Sequence, residues 1–299
     1  MLEKLRPYMM PFTMLTGGLF YPFFNMLSPL TPFLIFAMLF ISFCKLPLGS
    51  IRLSPLHGLL LLIQLAGGLT VFLLLQPFDK RIAQAAMICL LAPTATSAPV
   101  ITEMLRGDTA SLTAYSLLSN ISVAVLVPLI FPIIGDSNSR LGFLASFSTI
   151  AGRIFPLLLF PLALAAILQR MKAKLITRIQ QYSKLSFYLW NCALAIVTGR
   201  SVAFIVEQKS DTYSTELIMA GCSLILCLLQ FLIGRRLGRR YGDSVAAGQA
   251  LGQKNTILAI WMTQSYLNPL ASIGPGAYVL WQNMVNSFQL WRERKRDRN

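Results

Sequence analysis

The chain has 299 residues, 55% of them hydrophobic and only 12% charged, with a mean hydropathy of +0.63. Soluble domains carry about 25% charged residues, so an ordinary soluble enzyme is excluded. A net charge of +15 would suggest nucleic acid in a soluble protein, but here the basic residues fall in short connections between apolar runs. The expected partner is therefore a lipid bilayer and not a nucleic acid.

Ten apolar runs follow one another near 8–27, 30–48, 57–76, 82–105, 110–134, 145–170, 184–206, 212–234, 244–268 and 273–291. A helical span needs about 20 mostly apolar residues. The expected fold is thus an all-α integral membrane protein of ten transmembrane helices, with no soluble domain. Lys4 and Arg6 precede the first run as in a signal peptide, but bulky Tyr21, Phe23 and Phe24 stand where a cleavage site would lie, so a retained span is expected. When the connections are assigned alternately to two sides, 19 of the 26 Lys and Arg fall on the side of both termini and 5 on the other. The positive-inside rule then predicts cytoplasmic termini in the cytoplasmic membrane. Arg200 and Lys254 remain inside runs. Arg200 is expected near the outer interface, either snorkelling or guiding an anion inward.

The fourth run holds Ala92-Pro93-Thr94-Ala95-Thr96-Ser97-Ala98-Pro99, and the ninth holds Gly248-Gln249-Ala250-Leu251-Gly252-Gln253-Lys254-Asn255-Thr256. Proline removes a backbone donor and glycine favours unwinding, so both helices are expected to be interrupted, near Thr94–Pro99 and Gly252–Asn255. Non-helical backbone at membrane depth is tolerated only where protein or a wet cavity satisfies it. Thr96 and Asn255 lie 159 residues apart, about half the chain. Matching breaks in two five-helix halves, 1–144 and 145–299, predict an inverted repeat whose broken helices cross at mid-membrane, which is the sequence pointer to a transporter's binding site.

Lys254 is the most informative residue. A mid-membrane Lys costs about 2.5–3.5 kcal/mol on insertion scales and should face a cavity or a partner. It sits about 15 Å from either interface, beyond easy snorkelling. Its ammonium is expected among carbonyls of the ninth run, Gln64 and hydroxyls of the fourth. Thr94, Thr96, Ser97, Lys254, Asn255 and Thr256 make up the expected substrate-binding set. They offer hydroxyls, an amide and a positive charge to an organic anion, beside half-helix N-termini.

The segments Ala92–Ala110 (APTATSAPVITEMLRGDTA) and Gly248–Ile260 (GQALGQKNTILAI), with LVPLIFP (Leu126–Pro132) ending the fifth run, resemble the bile acid:sodium symporter family. The resemblance covers essentially the whole chain. It implies a core of spans three to five and eight to ten, a panel of spans one, two, six and seven, and transport of organic anions. It also implies two sodium sites where spans four and nine cross, and here the chain departs from the family. Ala98 and Pro99 stand at a Ser-Asn pair, Asn120 and Ala124 at hydroxyl positions of span five, Ala250 at a Glu and Lys254 at a Gln. Gln253 adjoins this set, and only Gln64 on span three matches the family. Cations favour carboxylate and carbonyl oxygens and are repelled by a fixed ammonium, so sodium coupling is not expected. Two routes stay open: proton release from Lys254 drives the cycle, or a permanently charged Lys254 makes the protein an uncoupled uniporter.

Neither metal nor cofactor is expected. The single His and the five Cys (Cys44, Cys89, Cys192, Cys222, Cys227) form no metal-ligand spacing and no CxxC pair. An enzyme would need paired intramembrane carboxylates, a metal cluster or a His-based dyad, and none is present at membrane depth. Metalloid-oxyanion export, as in related arsenite carriers, would call for a Cys within the fourth-run break, yet Cys89 precedes it. A non-transporting sensor descended from a transporter is the other alternative. Glu103, Arg106 and Asp108 are expected to form a local ion-pair cluster, and Asn283 and Asn286 to hydrogen-bond between helices.

Overall fold

A computed structural model describes residues 2–45, 52–95, 97–135, 142–171, 179, 183–207 and 213–296. The helices are α1 (Leu2–Leu19), α2 (Tyr21–Met26), α3 (Thr31–Phe43), α4 (Pro55–Leu75), α5 (Lys80–Leu91), α6 (Ala98–Met104) and α7 (Thr109–Ile134). They continue with α8 (Phe143–Arg170), α9 (Ser183–Glu207), α10 (Ser214–Arg239), α11 (Ser244–Gly252), α12 (Thr256–Tyr266) and α13 (Ile273–Arg296). Among the described residues there is no β-strand, and α4, α7, α8, α9 and α10 are long and apolar enough to cross a membrane. The protein is all-α and of membrane type.

Local chemistry sets the helix boundaries. Asp79 caps α5 by accepting from the Arg81 and Ile82 N–H groups, and Asp108 caps α7 through Ala110 and Ser111. Ser54 and His57 form a reciprocal capping box at the start of α4. The first apolar run is not one helix. It breaks at Phe20, just before Pro22, because proline is accommodated at a helix start and resisted in its interior. The fourth and ninth runs are each two pieces, α5 with α6 and α11 with α12.

Packing sorts the helices into two groups. In one, α1, α2 and α3 pack on α9, and α3 also packs on α8. In the other, α4 and α10 pack on α5, α11 on α10, and α13 on α5 and α10. The groups are joined by α12, which touches α3 and α9, and by α7, which packs along α8 more extensively than on α4, α6 or α11. The largest apolar cluster spans both, with Ile35, Phe43, Met87, Val127, Leu158 and Leu194 among its buried members. Gly234 and Gly238 let α10 lie directly on the backbone of α11 at Ala247 and Asp243, the small-xxx-small device of membrane helix pairs.

The two ends of the bundle are tied separately. At one, Lys80 Nζ donates to the Gly135 carbonyl at 2.8 Å, and Gln84 joins Ile134 and Asn268. At the other, Gln169 donates to the Phe43 carbonyl at 3.1 Å, and His57 Nε2 lies 3.0 Å from Ser111 Oγ, which donates to Asp243. Burial and the neighbouring Asp108 push the Asp243 carboxyl above its ordinary range, against the Ser111 hydrogen bond.

Candidate functional site

The two interruptions meet. Asn255 N donates to the Pro93 carbonyl at 2.8 Å and Ala95 N to the Gln253 carbonyl at 2.9 Å, a short antiparallel bridge centred on Thr94 and Lys254. Where helices break, the carbonyls of the last turn lose their partners and must find others. At the end of α5 the helix's own C-cap serves Ile88, and the carbonyls from Cys89 to Ala92 are supplied from other segments. The Ile88 carbonyl accepts from Ala92 N, Cys89 from Gln230 Nε2 at 3.2 Å, and Leu90 from Lys254 Nζ at 2.8 Å. Gln64 Nε2 serves both Leu91 and Ala92, at 2.9 and 3.1 Å. The end of α11 is treated alike: Thr94 Oγ1 donates to the Ala250 carbonyl at 2.7 Å, and Tyr278 Oη to that of Gly252 at 2.8 Å.

Lys254 is 1% exposed, and its ammonium points at the C-terminal end of a half-helix, where the helix dipole is negative. Its backbone N–H donates to Gln282 Oε1 at 2.8 Å, which fixes the residue on the bridge. Among the described residues no carboxylate lies within ion-pair distance of it. Gln64 is not its partner, contrary to the sequence expectation, and among the described residues neither is a fourth-run hydroxyl, Thr94 or Ser97. Gln64 is saturated by the two carbonyls and by Tyr115 Oη and Ser119 Oγ, which donate to its Oε1 at 2.6 and 2.9 Å. Thr94 Oγ1 is committed to Ala250.

The other expected residues divide. Thr94, Lys254, Asn255 and Thr256 are buried together at the bridge, whereas Ser97 is exposed and accepts from Gln253 Nε2 at 3.2 Å. Thr96 lies outside the described residues. Ala98 and Pro99 form the first turn of α6, and Ala124 and Asn120 lie buried on α7. Asn120 Nδ2 donates within its own helix to the Ser116 carbonyl at 2.7 Å. Asn255 Oδ1 caps α12 by accepting from Leu258 N at 3.3 Å, so this half-helix N-terminus is partly filled by its own side chain. Around the bridge, Gln253 Oε1, Asn255 Nδ2 and Thr256 Oγ1 are buried with no protein partner, and so is Asn120 Oδ1 on α7. Such atoms in one neighbourhood call for solvent or a ligand.

Two local expectations are corrected. Asp108 is a helix cap, and Arg106 lies 3.9 Å from Glu293 on α13, so the predicted Glu103–Arg106–Asp108 cluster gives way to a cap and a pair between distant segments. Asn286 does join helices, accepting from Gln249 Nε2 at 3.0 Å, but Asn283 bonds within its helix to the Val279 carbonyl. Sequence reasoning missed Gln230, Gln282, Tyr115 and Tyr278 as partners of the breaks. The amides of Gln230 and Gln282 inside apolar runs were the available signal.

A cavity of about 550 Å³ opens between α3, α8, α9 and α12, and Arg153 and Arg200 both line it. Among the described residues no group of three His, Cys, Asp or Glu side chains gathers to hold a metal. No family model matches this chain, and no curated protein matches it.

Proposed function

We propose that this protein is a secondary or facilitative transporter of an organic anion across the cytoplasmic membrane, not coupled to sodium. In this reading ten spans form two inverted five-helix repeats, both termini are cytoplasmic, and the α5–α6 and α11–α12 pairs cross at mid-membrane. The chain is then a divergent relative of the bile acid:sodium symporter family. Helices α1–α3, α8 and α9 act as the panel and the remainder as the core. The two packing groups and the bias of 19 basic residues against 5 support this arrangement.

One observation carries the reading: the Lys254 ammonium donating to the Leu90 carbonyl at the broken end of α5. Half-helix C-termini and unwound carbonyls are where transporters of this architecture hold their coupling cation. A tethered ammonium there supplies the same charge with no ion to bind or release. The orphaned Asn255, Thr256 and Gln253 groups beside it offer the substrate directional hydrogen bonds.

A thermal-shift screen of carboxylates and sulfates on the purified protein, followed by counterflow of each hit in proteoliposomes, tests the proposal. Accumulation of a stabilising anion supports transport. Stabilisation without any accumulation refutes it in favour of a sensor.

A further inference from the structure

The cavity between α3, α8, α9 and α12 lies at the seam of the two packing groups, at the end of the bundle opposite the Ser54 and Asp243 connections. Its walls include Phe36, Phe160 and Trp261, with the Phe36 and Phe160 rings 5.9 Å apart between centroids. Arg153 from α8 and Arg200 from α9 line the cavity, and no Asp or Glu does; the Arg153 side chain also engages the Tyr266 hydroxyl. The Arg200 guanidinium lies 5.5 Å from the Phe204 ring centroid. Among the described residues neither arginine has a carboxylate within ion-pair distance. Gln264 also lines the cavity; its Nε2 is engaged by the Val197 carbonyl and Ser201 Oγ, and its buried Oε1 has no protein partner.

Guanidinium groups stay charged at all working pH values, and their planar forks match carboxylate, sulfate and phosphate oxygens. Low-dielectric walls focus the field of two like charges into the space between them. A single negative charge leaves one fork uncompensated, while two neutralise the cavity. The volume is that of an ordinary small-molecule site, and its aromatic sides suit a flat apolar body.

We propose that this cavity binds a dianion built on a flat apolar ring system, one acidic group held by Arg153 and the other by Arg200. Its service as the outer access site for transport rests on the transporter reading, whereas the binding itself does not. From Thr256 at the bridge to Trp261 is about 7.5 Å along α12, so the bound ligand lies one helix turn or two from Lys254.

The experiment measures direct binding of naphthalene-2,6-dicarboxylate, naphthalene-2-carboxylate and adipate to the intact protein in phosphatidylcholine nanodiscs and in phosphate-free detergent. The aromatic dianion should bind about 10- to 100-fold tighter than the monocarboxylate, the range expected of one extra charge-assisted contact, and tighter than adipate, which carries the same charge without the flat ring. Arg153→Gln and Arg200→Gln should each remove that advantage, and the lysine variants should keep part of it, with melting temperatures unchanged throughout. Equal binding of the mono- and dicarboxylate, no saturable binding of the dianion, or unaltered binding in both glutamine variants would overturn the proposal. Binding seen only in phosphate-free detergent would overturn it too, because the arginines would then hold lipid phosphate. Arginine-dependent binding without uptake in proteoliposomes leaves this site standing and refutes transport. Uptake indifferent to both arginines does the reverse.

Discussion

Replacing Lys254 by methionine separates what the ammonium does for stability from what it does for function. The side chain is 1% exposed, and its ammonium makes one hydrogen bond, 2.8 Å to the Leu90 carbonyl. Methionine keeps the apolar stem and forfeits that bond, about 1.5–3 kcal/mol for a charged donor. It also removes an ammonium whose placement at membrane depth costs about 2.5–3.5 kcal/mol. The difference runs from roughly a 0.5 kcal/mol loss to a 2 kcal/mol gain, within about 8 °C of the parent at about 2–4 °C per kcal/mol. Lys254→Met should therefore melt between about 2 °C below and about 8 °C above the parent in a fluorescence melt, while losing anion binding and uptake. A fall of more than about 10 °C would refute this reasoning, since the ammonium would then be a structural strut with stronger partnerships than the Leu90 carbonyl.

Thr94→Ala strips the Ala250 carbonyl of its 2.7 Å donor inside the crossing and should destabilise by about 1–3 kcal/mol, seen as a lower melting temperature. Gly234→Ala puts a methyl against the Ala247 backbone and should force α10 from α11 at a cost of about 1–3 kcal/mol, whereas Gly221→Ala, where the added methyl meets nothing within 4 Å, should be near neutral. Asp79 caps α5; burial raises its carboxyl, but the Arg81 guanidinium and the N–H groups of Arg81 and Ile82 outweigh this and hold it below the ordinary 3.8. Its stabilisation is thus present above about pH 4 and lost as pH falls through the lowered value, so Asp79→Ala should cost about 0.5–2 kcal/mol at neutral pH and flatten the acid limb of the stability profile.

Both interruptions are legible in the sequence because their causes are local: Pro93 and Pro99 in one run, Gly252 beside polar Gln253 and Asn255 in the other. The burial of Lys254 is legible too, since a lysine about 15 Å from either interface has few ways out. Its partner is not. Every residue has a carbonyl, and which one is orphaned depends on where α5 ends and what approaches that end. Gln64 illustrates the same limit, because its side chain is taken by Leu91, Ala92, Tyr115 and Ser119, contacts set by the packing of α4 on both α5 and α7. The break at Phe20 was missed because an apolar run with a proline reads as continuous by composition alone. Arg153 and Arg200 are 47 residues apart in the sixth and seventh runs, and only the packing of α8 and α9 around α3 brings them to one cavity.

Sodium replacement during uptake tests the central claim most directly. An anion that stabilises the protein is supplied to proteoliposomes at fixed ionic strength, with sodium exchanged for choline. Uptake should be unchanged by the exchange and abolished in Lys254→Gln, and Lys254→Gln should gain no sodium dependence while Ala250 stands in place of a carboxylate. A steep, saturable sodium requirement in the parent protein, or normal uptake by Lys254→Gln, would contradict the account.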